Sequence, residues 1–189
     1  MTSTTTSTSP AGGLAEDRTA VDAALAGISH ATAAAVGAEP TAAKALFSVA
    51  ATNPASVLTR VTSRGHTIDI DEPPSLGGDD TAINPVETAL AALAACQVVT
   101  YRFHATRLGV RVDAIDISAE GDLDVQGFFA LDDATRPGFT AVRFHVELTG
   151  PDTVERYEEL RAEVDAHCPV LDLFRNPTPV TSSLGVSAG

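Results

Sequence analysis

The segment that most constrains the fold is an alanine-rich and almost wholly apolar stretch, residues 89–99. It lies inside a longer helical segment, because Asn84 suits a helix cap, Pro85 suits the first helical position and nothing breaks the pattern before Gly109. A helix that is apolar on all sides must be covered by other elements when it lies in a soluble protein. The sequence therefore predicts a long helix over residues 85–108 that is wrapped on every side.

Alternating and β-branched residues flank this helix in the chain. They predict two or three antiparallel strands between residues 43 and 70, because Asn53-Pro54 and Arg64-Gly65 interrupt the alternation there. The other predicted elements are a helix over residues 17–36, a loop over 71–83, two β segments over 112–129 and 139–148, a helix that opens at 151–153 and ends just before Cys168, a short helix from Cys168 to about Phe174, and a strand over 178–184. This order predicts an α+β domain rather than an alternating βαβ one.

The chain divides by composition into three parts. Residues 1–16 are rich in Ser, Thr, Gly and Pro, with no positive charge and no apolar run, so we expect a disordered tail rather than a secretory signal. A phosphorylated or partner-binding segment is the alternative. Residues 17–42 form a predicted helical extension, and residues 43–189 form the main domain. We expect a cytoplasmic protein that does not contact membranes.

The net charge disfavours two classes of function. The chain has 12 Lys and Arg against 25 Asp and Glu, a formal net charge of −13. Nucleic-acid binders and proteins of anionic membrane surfaces rely on basic clusters, and this chain has none to offer. Because 44% of the residues are hydrophobic, the chain can bury a core of ordinary size.

Two cysteines are the residues best suited to carry chemistry. They are too few for a disulfide scaffold or a four-sulfur zinc site. Cys96 lies in the middle of the apolar helix, where a cysteine on its own is better explained as a small buried hydrophobic residue than as a reactive thiol. Cys168 lies at a helix start after His167, where the backbone favours a thiolate, so it is either a redox thiol or a half-buried capping residue.

No cofactor or metal is expected from the remaining motifs. The five histidines show no pair with the spacing of a zinc site. The acidic loop over residues 71–83 lacks the ordered ligand spacing of a calcium-binding loop, and its glycines are not followed by the Lys-Ser or Lys-Thr of a phosphate-binding loop. A solvated loop is the better interpretation.

The run GGDDTAINPVETALAALAAC, with HCPVLDLF further along the chain, resembles the OsmC and organic hydroperoxide resistance superfamily. The resemblance rests on a glycine-rich loop, on Asn84-Pro85, on the spacing from Asn84 to Cys96, and on Cys168 in a Cys-Pro context. The segments RGHTIDIDEPPSLGG, GDLDVQGFF and RPGFTAVRFHVEL are similar to the OsmC-like branch. The resemblance covers residues 43–184.

This resemblance implies an OsmC-like fold, in which antiparallel sheets wrap long central helices and two subunits intertwine as a homodimer. It also implies thiol-dependent reduction of organic hydroperoxides. Cys96 would attack the peroxide and become a sulfenic acid, and Cys168 would resolve that acid as a disulfide. A dithiol reductant, such as a lipoyl group on a protein, would then reduce the disulfide.

The same resemblance implies a cation beside the peroxidatic thiolate, which burial among alanines would otherwise disfavour. In the superfamily this is an arginine of the N-terminal strands held by a glutamate, and Arg64 is the first candidate here, with Arg60 second. Glu87 is the candidate partner. In the hydroperoxide-resistance branch the carboxylate directly follows the proline, whereas here one residue intervenes, so Glu87 either holds the arginine or only caps its helix. Asp79 and Asp80 are the alternatives.

Two other functions remain open at the level of sequence. The first is a binding protein without catalysis, which uses an apolar cleft between subunits for a small hydrophobic ligand or acyl chain. The second is a redox sensor or interaction module in which oxidation of Cys96 is the signal. Only the peroxidase turns over many equivalents of peroxide in the presence of a dithiol.

Overall fold

The computed structural model describes residues 18–187, so the tail over residues 1–16 lies outside the described residues. The chain is an α+β protein. Its elements in chain order are α1 (Arg18–Ala38), β1 (Ala50–Ala55), β2 (Leu58–Ser63), β3 (His66–Ile70), α2 (Pro85–Leu108), β4 (Ala114–Asp122), α3 (Val125–Phe128), β5 (Ala141–Thr149), α4 (Val154–His167) and α5 (Pro169–Arg175), with short 3-10 turns at Pro40–Ala43 and Pro74–Leu76.

The prediction of two or three antiparallel strands before the central helix is confirmed, with three strands in one sheet in the order β1-β2-β3. The predicted interruption at Asn53-Pro54 is wrong, because both residues lie within β1. Ser63 pairs with His66, so Arg64 and Gly65 alone form the turn between β2 and β3. Arg64 adopts a left-handed backbone with φ of 56°. The sheet has little packing against α2, and its outer strand β1 is exposed along its whole length. In a single chain this sheet is therefore an extension rather than part of the core.

The second sheet is an antiparallel pair of β4 and β5, in register from Ala114 opposite Thr149 to Asp122 opposite Ala141. The predicted strand over residues 112–129 is therefore correct only as far as Asp122. The following residues form α3 instead, because the Asp124 side chain accepts a hydrogen bond from the Gln126 N–H and starts a helical turn.

The central helix α2 begins and ends where the sequence predicts. Asn84 accepts a hydrogen bond from the Glu87 N–H at 2.8 Å, and the Glu87 carboxylate accepts one from the Asn84 N–H at 2.9 Å. This reciprocal capping box fixes the first turn. Gly109 closes the last turn in a left-handed conformation, with φ of 64°.

The expectation that α2 is wrapped on every side is wrong for the single chain. One face is buried and includes Leu93, which is fully inaccessible to solvent. The opposite face carries Ala91, Ala95 and Val99 at successive helical turns, and all three are exposed. Val99 is 55% exposed. One chain supplies cover for only one side of its central helix.

The core lies between α2, the β4-β5 pair and the two C-terminal helices. Its larger cluster of buried residues consists of Tyr101, Ala105, Val110, Val112, Leu160 and Val164. The smaller cluster consists of Leu93, Cys168 and Leu171, with Cys96, Val142, Phe144 and Val170 packed against it. Both cysteines thus belong to the same small cluster.

Two terminal segments differ from the core in their exposure. The strand predicted over residues 178–184 is not formed, and Val180 and Leu184 are 86% and 89% exposed. A strand needs backbone hydrogen bonds to a neighbouring edge, and within residues 18–187 this segment pairs with neither of the two sheets. Leu46 and Phe47, just before β1, are 95% and 90% exposed.

The predicted helix of the N-terminal extension is present as α1, which packs against α2 but has no buried residue. Among the described residues it is the one helix that is long and apolar enough to cross a membrane. That test uses length and composition alone, and core helices of soluble proteins also pass it.

The loop between β3 and α2 is organised by Asp71, which is 3% exposed. Its carboxylate accepts hydrogen bonds from the N–H groups of Glu72, Asp79 and Thr81 and from the Thr81 hydroxyl. Gly78 is required beside it, because a Cβ there would lie 1.8 Å from the Glu72 carbonyl oxygen. The loop is therefore a built structure rather than a solvated connection.

Candidate active site

The two cysteines of the chain meet beside the middle of α2. Cys96 projects from that helix, and Cys168 stands at the junction of α4 and α5, where its N–H donates to the Val164 carbonyl and closes α4. Pro169 then starts α5, because its missing N–H costs nothing at a first helical position. Both thiols are free, and Cys96 packs against the small buried cluster that contains Cys168. The helix junction thus positions the second thiol against the first.

The surroundings of Cys96 oppose its ionisation. Burial raises the pKa of the Cys96 thiol, and the backbone N–H of Val170 in α5 counters this in part by donating to the sulfur. The adjacent Cys168 raises the pKa further, because two neighbouring thiolates repel each other. A reactive thiolate at this position therefore calls for a positive charge beyond what the described part of the chain supplies.

The two thiols differ in access. Cys96 is half-buried, whereas Cys168 is only 2% exposed. A small molecule that approaches from solvent therefore reaches Cys96 first. Cys168 can react readily only with a group already attached to its neighbour.

A cleft of about 470 Å³ adjoins the cysteine cluster. Its walls include Leu93, Phe144 and Leu171, which also pack around the thiols. The other lining residues are Arg136, Gly138, Phe139, Thr140, Val142, Leu173, Phe174 and Arg175. A lining that combines apolar side chains with the cationic Arg136 and Arg175 suits a ligand that is hydrophobic at one end and polar at the other.

Arg136 is a residue of this cleft that the sequence did not single out as a site residue. It makes no hydrogen bond or ion pair with residues 18–187, whereas Arg175 in the same cleft is paired with Asp165 at 3.2 Å. The only sequence signal for Arg136 is its place in the RPGFTAVRFHVEL segment. Its position beside the cleft follows from the long connection between β4 and β5.

The two arginines predicted from sequence lie on the N-terminal sheet and not at the cysteine cluster of the same chain. Arg60 forms a two-pronged hydrogen bond to Asp69 on β3, with both N···O distances at 2.8 Å. Arg64 stands at the tip of the β2-β3 turn and has no hydrogen-bond or ion-pair partner among residues 18–187. Of the two, Arg64 is the one whose charge is free to act elsewhere.

The predicted carboxylates are likewise away from the thiols. Glu87 is engaged in the capping box at the start of α2, which is the second of the two roles that the sequence left open for it. The side chains of Asp79 and Asp80 are exposed and accept no hydrogen bond within residues 18–187. The structure thus brings Cys96 and Cys168 together and leaves Arg64 and Glu87 apart from them within one chain.

Comparisons with known proteins agree with this fold. The family model described as OsmC-like protein matches residues 77–183. No curated protein matches the chain.

Among solved structures, an OsmC-like protein from Mycoplasma pneumoniae superposes with a TM-score of 0.62 at 17% identity, over 70% of this chain and 89% of that one. An organic hydroperoxide resistance protein OsmC from Legionella pneumophila gives 0.54 at 25% identity, over 70% and 92%. An organic hydroperoxide resistance protein from Elizabethkingia anophelis gives 0.55 at 19% identity, over 70% and 89%.

Proposed function

The chain belongs to the OsmC-like protein family, and on that premise we propose that it is a cytoplasmic thiol peroxidase that reduces organic hydroperoxides to alcohols. The observation that carries the proposal is the adjacency of Cys96 and Cys168. A protein that uses the fold only for binding has no need of a second thiol against the first. The hydroperoxide resistance proteins of similar fold support the same class of substrate.

The reaction begins at the more accessible thiol. The Cys96 thiolate attacks the distal oxygen of the hydroperoxide, the O–O bond breaks, and the alkoxide leaves and takes up a proton to give the alcohol. Cys96 is then a sulfenic acid. The Cys168 thiolate attacks the Cys96 sulfur, water leaves, and a disulfide forms. A dithiol, such as a lipoyl group, returns two electrons by thiol-disulfide exchange and restores both thiols.

The cleft accounts for a preference for organic peroxides. Phe139 and Phe174 line it together with the apolar residues that surround the thiols. Transfer of an alkyl or aryl group from water to such a surface contributes favourable binding free energy, whereas hydrogen peroxide has no apolar group to transfer. The cleft therefore holds the organic part of the substrate while the peroxide reaches Cys96.

We place the missing positive charge on Arg64 of a second subunit. The open face of α2 and the exposed Leu46 and Phe47 are apolar surfaces that a monomer would leave in water. A homodimer that covers them completes the wrapping of α2. The N-terminal sheet, which packs little on its own chain, is then free to carry Arg64 to the partner's thiol.

The test is the loss of free thiols after the reduced protein is mixed with one equivalent of cumene hydroperoxide or hydrogen peroxide. We expect rapid loss of two thiols with the organic peroxide, an intramolecular disulfide, and slower reaction with hydrogen peroxide. Cys168→Ser should lose one thiol and leave a sulfenic acid that dimedone traps. Cys96→Ser is the matched control and should react with neither peroxide. Thiols that persist for an hour in the unmodified protein would refute the proposal.

The apolar side chains that line the cleft also favour a second candidate, a binding protein for a small hydrophobic ligand or acyl chain. In that case both thiols are inert to peroxide. A redox sensor, by contrast, would oxidise once and would not turn over with a dithiol present. Repeated turnover of cumene hydroperoxide with dihydrolipoamide separates the peroxidase from both.

A further inference from the structure

A second cluster of reactive side chains lies apart from the thiol pair. His104 on α2 and Glu163 and His167 on α4 bring one possible ligand atom each to within 4.8 Å of one another. His104 and Glu163 are largely buried, with side chains 18% and 29% exposed, and the His167 side chain is 53% exposed. Because α2 and α4 pack together, the cluster joins two elements of the core.

We propose that His104, Glu163 and His167 form a binding site for a divalent transition metal ion of the zinc type. Zinc forms bonds of about 2.1 Å to imidazole nitrogen and carboxylate oxygen, so two ligand atoms of a tetrahedral site lie about 3.4 Å apart. The Nδ1 atoms of His104 and His167 lie 3.6 and 3.2 Å from the same oxygen of Glu163. The three side chains thus lie close enough together to share one ion.

The kind of ligand selects the kind of ion. Two imidazoles and one carboxylate suit Zn²⁺, Co²⁺ or Ni²⁺, whereas Mg²⁺ and Ca²⁺ prefer sites made of oxygen alone. Three protein ligands leave a fourth position for water. The exposed side of His167 gives solvent access to that position.

Arg107 occupies the place of the ion in the metal-free chain. Its guanidinium is paired with the same Glu163 oxygen and lies 3.4 Å from His104 Nδ1. A metal ion and a guanidinium compete for these atoms, because both are cations. The Arg107 side chain is 51% exposed, so it can leave for solvent. His167 Nδ1 donates to the Glu163 carbonyl oxygen at 2.8 Å in the metal-free chain, so binding of the ion requires that this proton leave or that the exposed ring turn to present Nε2.

The site is independent of the peroxidase proposal, and the thiols are its main competitor for metal. The test therefore measures Zn²⁺ binding by calorimetry to the full reduced chain without a histidine tag, and to a Cys96→Ser/Cys168→Ser variant. We expect one ion per chain in both. Co²⁺ should then give a tetrahedral absorption spectrum without a thiolate charge-transfer band.

Variants of the ligands decide the assignment. His104→Ala and Glu163→Gln should each weaken Zn²⁺ binding at least as much as the roughly 10–100-fold loss that removal of an outer-shell partner causes. Arg107→Gln should raise the affinity for Zn²⁺, and a misfolded variant could not produce a higher affinity. His145→Ala, an exposed histidine on β5, is the matched control and should bind as the unmodified chain does.

Three outcomes would overturn the proposal. The first is no Zn²⁺ binding to the Cys96→Ser/Cys168→Ser variant, which would assign any metal to the thiols. The second is undiminished binding by His104→Ala or Glu163→Gln. The third is weaker or unchanged binding by Arg107→Gln, because the guanidinium would then not compete with the ion.

Discussion

Cys96 and Glu87 lie on opposite sides of α2. Nine positions separate them along the helix, which corresponds to two and a half turns and a rotation of about 180°. Cys96 faces the helix junction at Cys168, whereas Glu87 folds back onto the N–H of Asn84. Within one chain, the carboxylate that the family resemblance nominates therefore serves the start of the helix and not the thiol.

This geometry predicts different results for two substitutions of Glu87. Glu87→Gln keeps an acceptor for the Asn84 N–H, so we expect stability and peroxidase activity close to those of the unmodified protein. Glu87→Ala removes the acceptor and should lower the free energy of unfolding by about 0.5–1 kcal/mol, as lost caps do. Urea unfolding and turnover with cumene hydroperoxide measure the two effects. Loss of activity in Glu87→Gln at unchanged stability would instead show that the carboxylate charge is needed.

Arg64 can be removed without disturbing its turn. Its backbone is left-handed, a conformation that glycine adopts at no steric cost, so Arg64→Gly should fold normally. If Arg64 supplies the missing charge, its removal in Arg64→Gly raises the pKa of the Cys96 thiol further. The pH profile for the rate of Cys96 oxidation then shifts to higher pH. A shift of one pH unit corresponds to a rate about tenfold lower at neutral pH.

Stopped-flow oxidation of the Cys168→Ser variant across pH, with and without Arg64→Gly, measures that shift. Arg60→Gln is the matched control, because the Arg60 charge is already paired with Asp69. An unchanged profile in Arg64→Gly would exclude Arg64, and Arg136 beside the cleft would be the next arginine to test.

Asp71 makes stability depend on pH in the acid range. Hydrogen bonds from the backbone and hydroxyl of Thr81, and then from the Glu72 N–H, lower its pKa from 3.8 to about 2. As the pH falls, the unfolded chain thus binds a proton at Asp71 at a higher pH than the folded chain does. The contribution of Asp71 to the free energy of unfolding is therefore complete above about pH 4 and disappears as the pH falls through about 2. The urea midpoint should exceed that of Asp71→Asn at pH 5, and the difference should shrink at pH 3. Asp80→Asn, at an exposed side chain in the same loop, should match the unmodified protein at both pH values.

The open face of α2 predicts self-association. A charge at Val99 would have to be buried in a dimer that covers this face, so Val99→Asp should convert a dimer into a monomer. Light scattering after gel filtration measures the mass. Val154→Asp is the control, because Val154 is 71% exposed and an acidic residue suits the start of α4. A Val99→Asp protein that stays dimeric would place the interface elsewhere.

Local signals in the sequence were sufficient for every helix except α3, which lies inside a segment predicted to be β. Asn84, Pro85 and Gly109 act within a turn of where they stand, and α2 begins and ends as they predict. The antiparallel strands before α2 follow from alternation and turn residues in the same way. The helix break at Cys168-Pro169 is also local, because proline cannot continue α4.

Contacts between distant parts of the chain were not accessible to such signals. The meeting of Cys96 and Cys168 was predicted only through the family resemblance, and the meeting of His104 with Glu163 was not predicted at all. The role of Asp71 depends on backbone N–H groups up to ten residues away, which composition does not reveal. The predicted strand over residues 178–184 is not formed, because alternation indicates a strand but does not determine whether the segment reaches the edge of a sheet.

The position of Cys168 between two helices has a topological consequence. Oxidation to the proposed disulfide would turn the chain from Cys96 to Cys168 into a closed covalent ring that contains β4, β5 and α4. Cross-links of this kind restrict the unfolded ensemble and typically add about 2–4 kcal/mol. The protein would then alternate, once per turnover, between a chain without a cross-link and a chain with a closed loop, and its resistance to unfolding would rise as the supply of reductant falls.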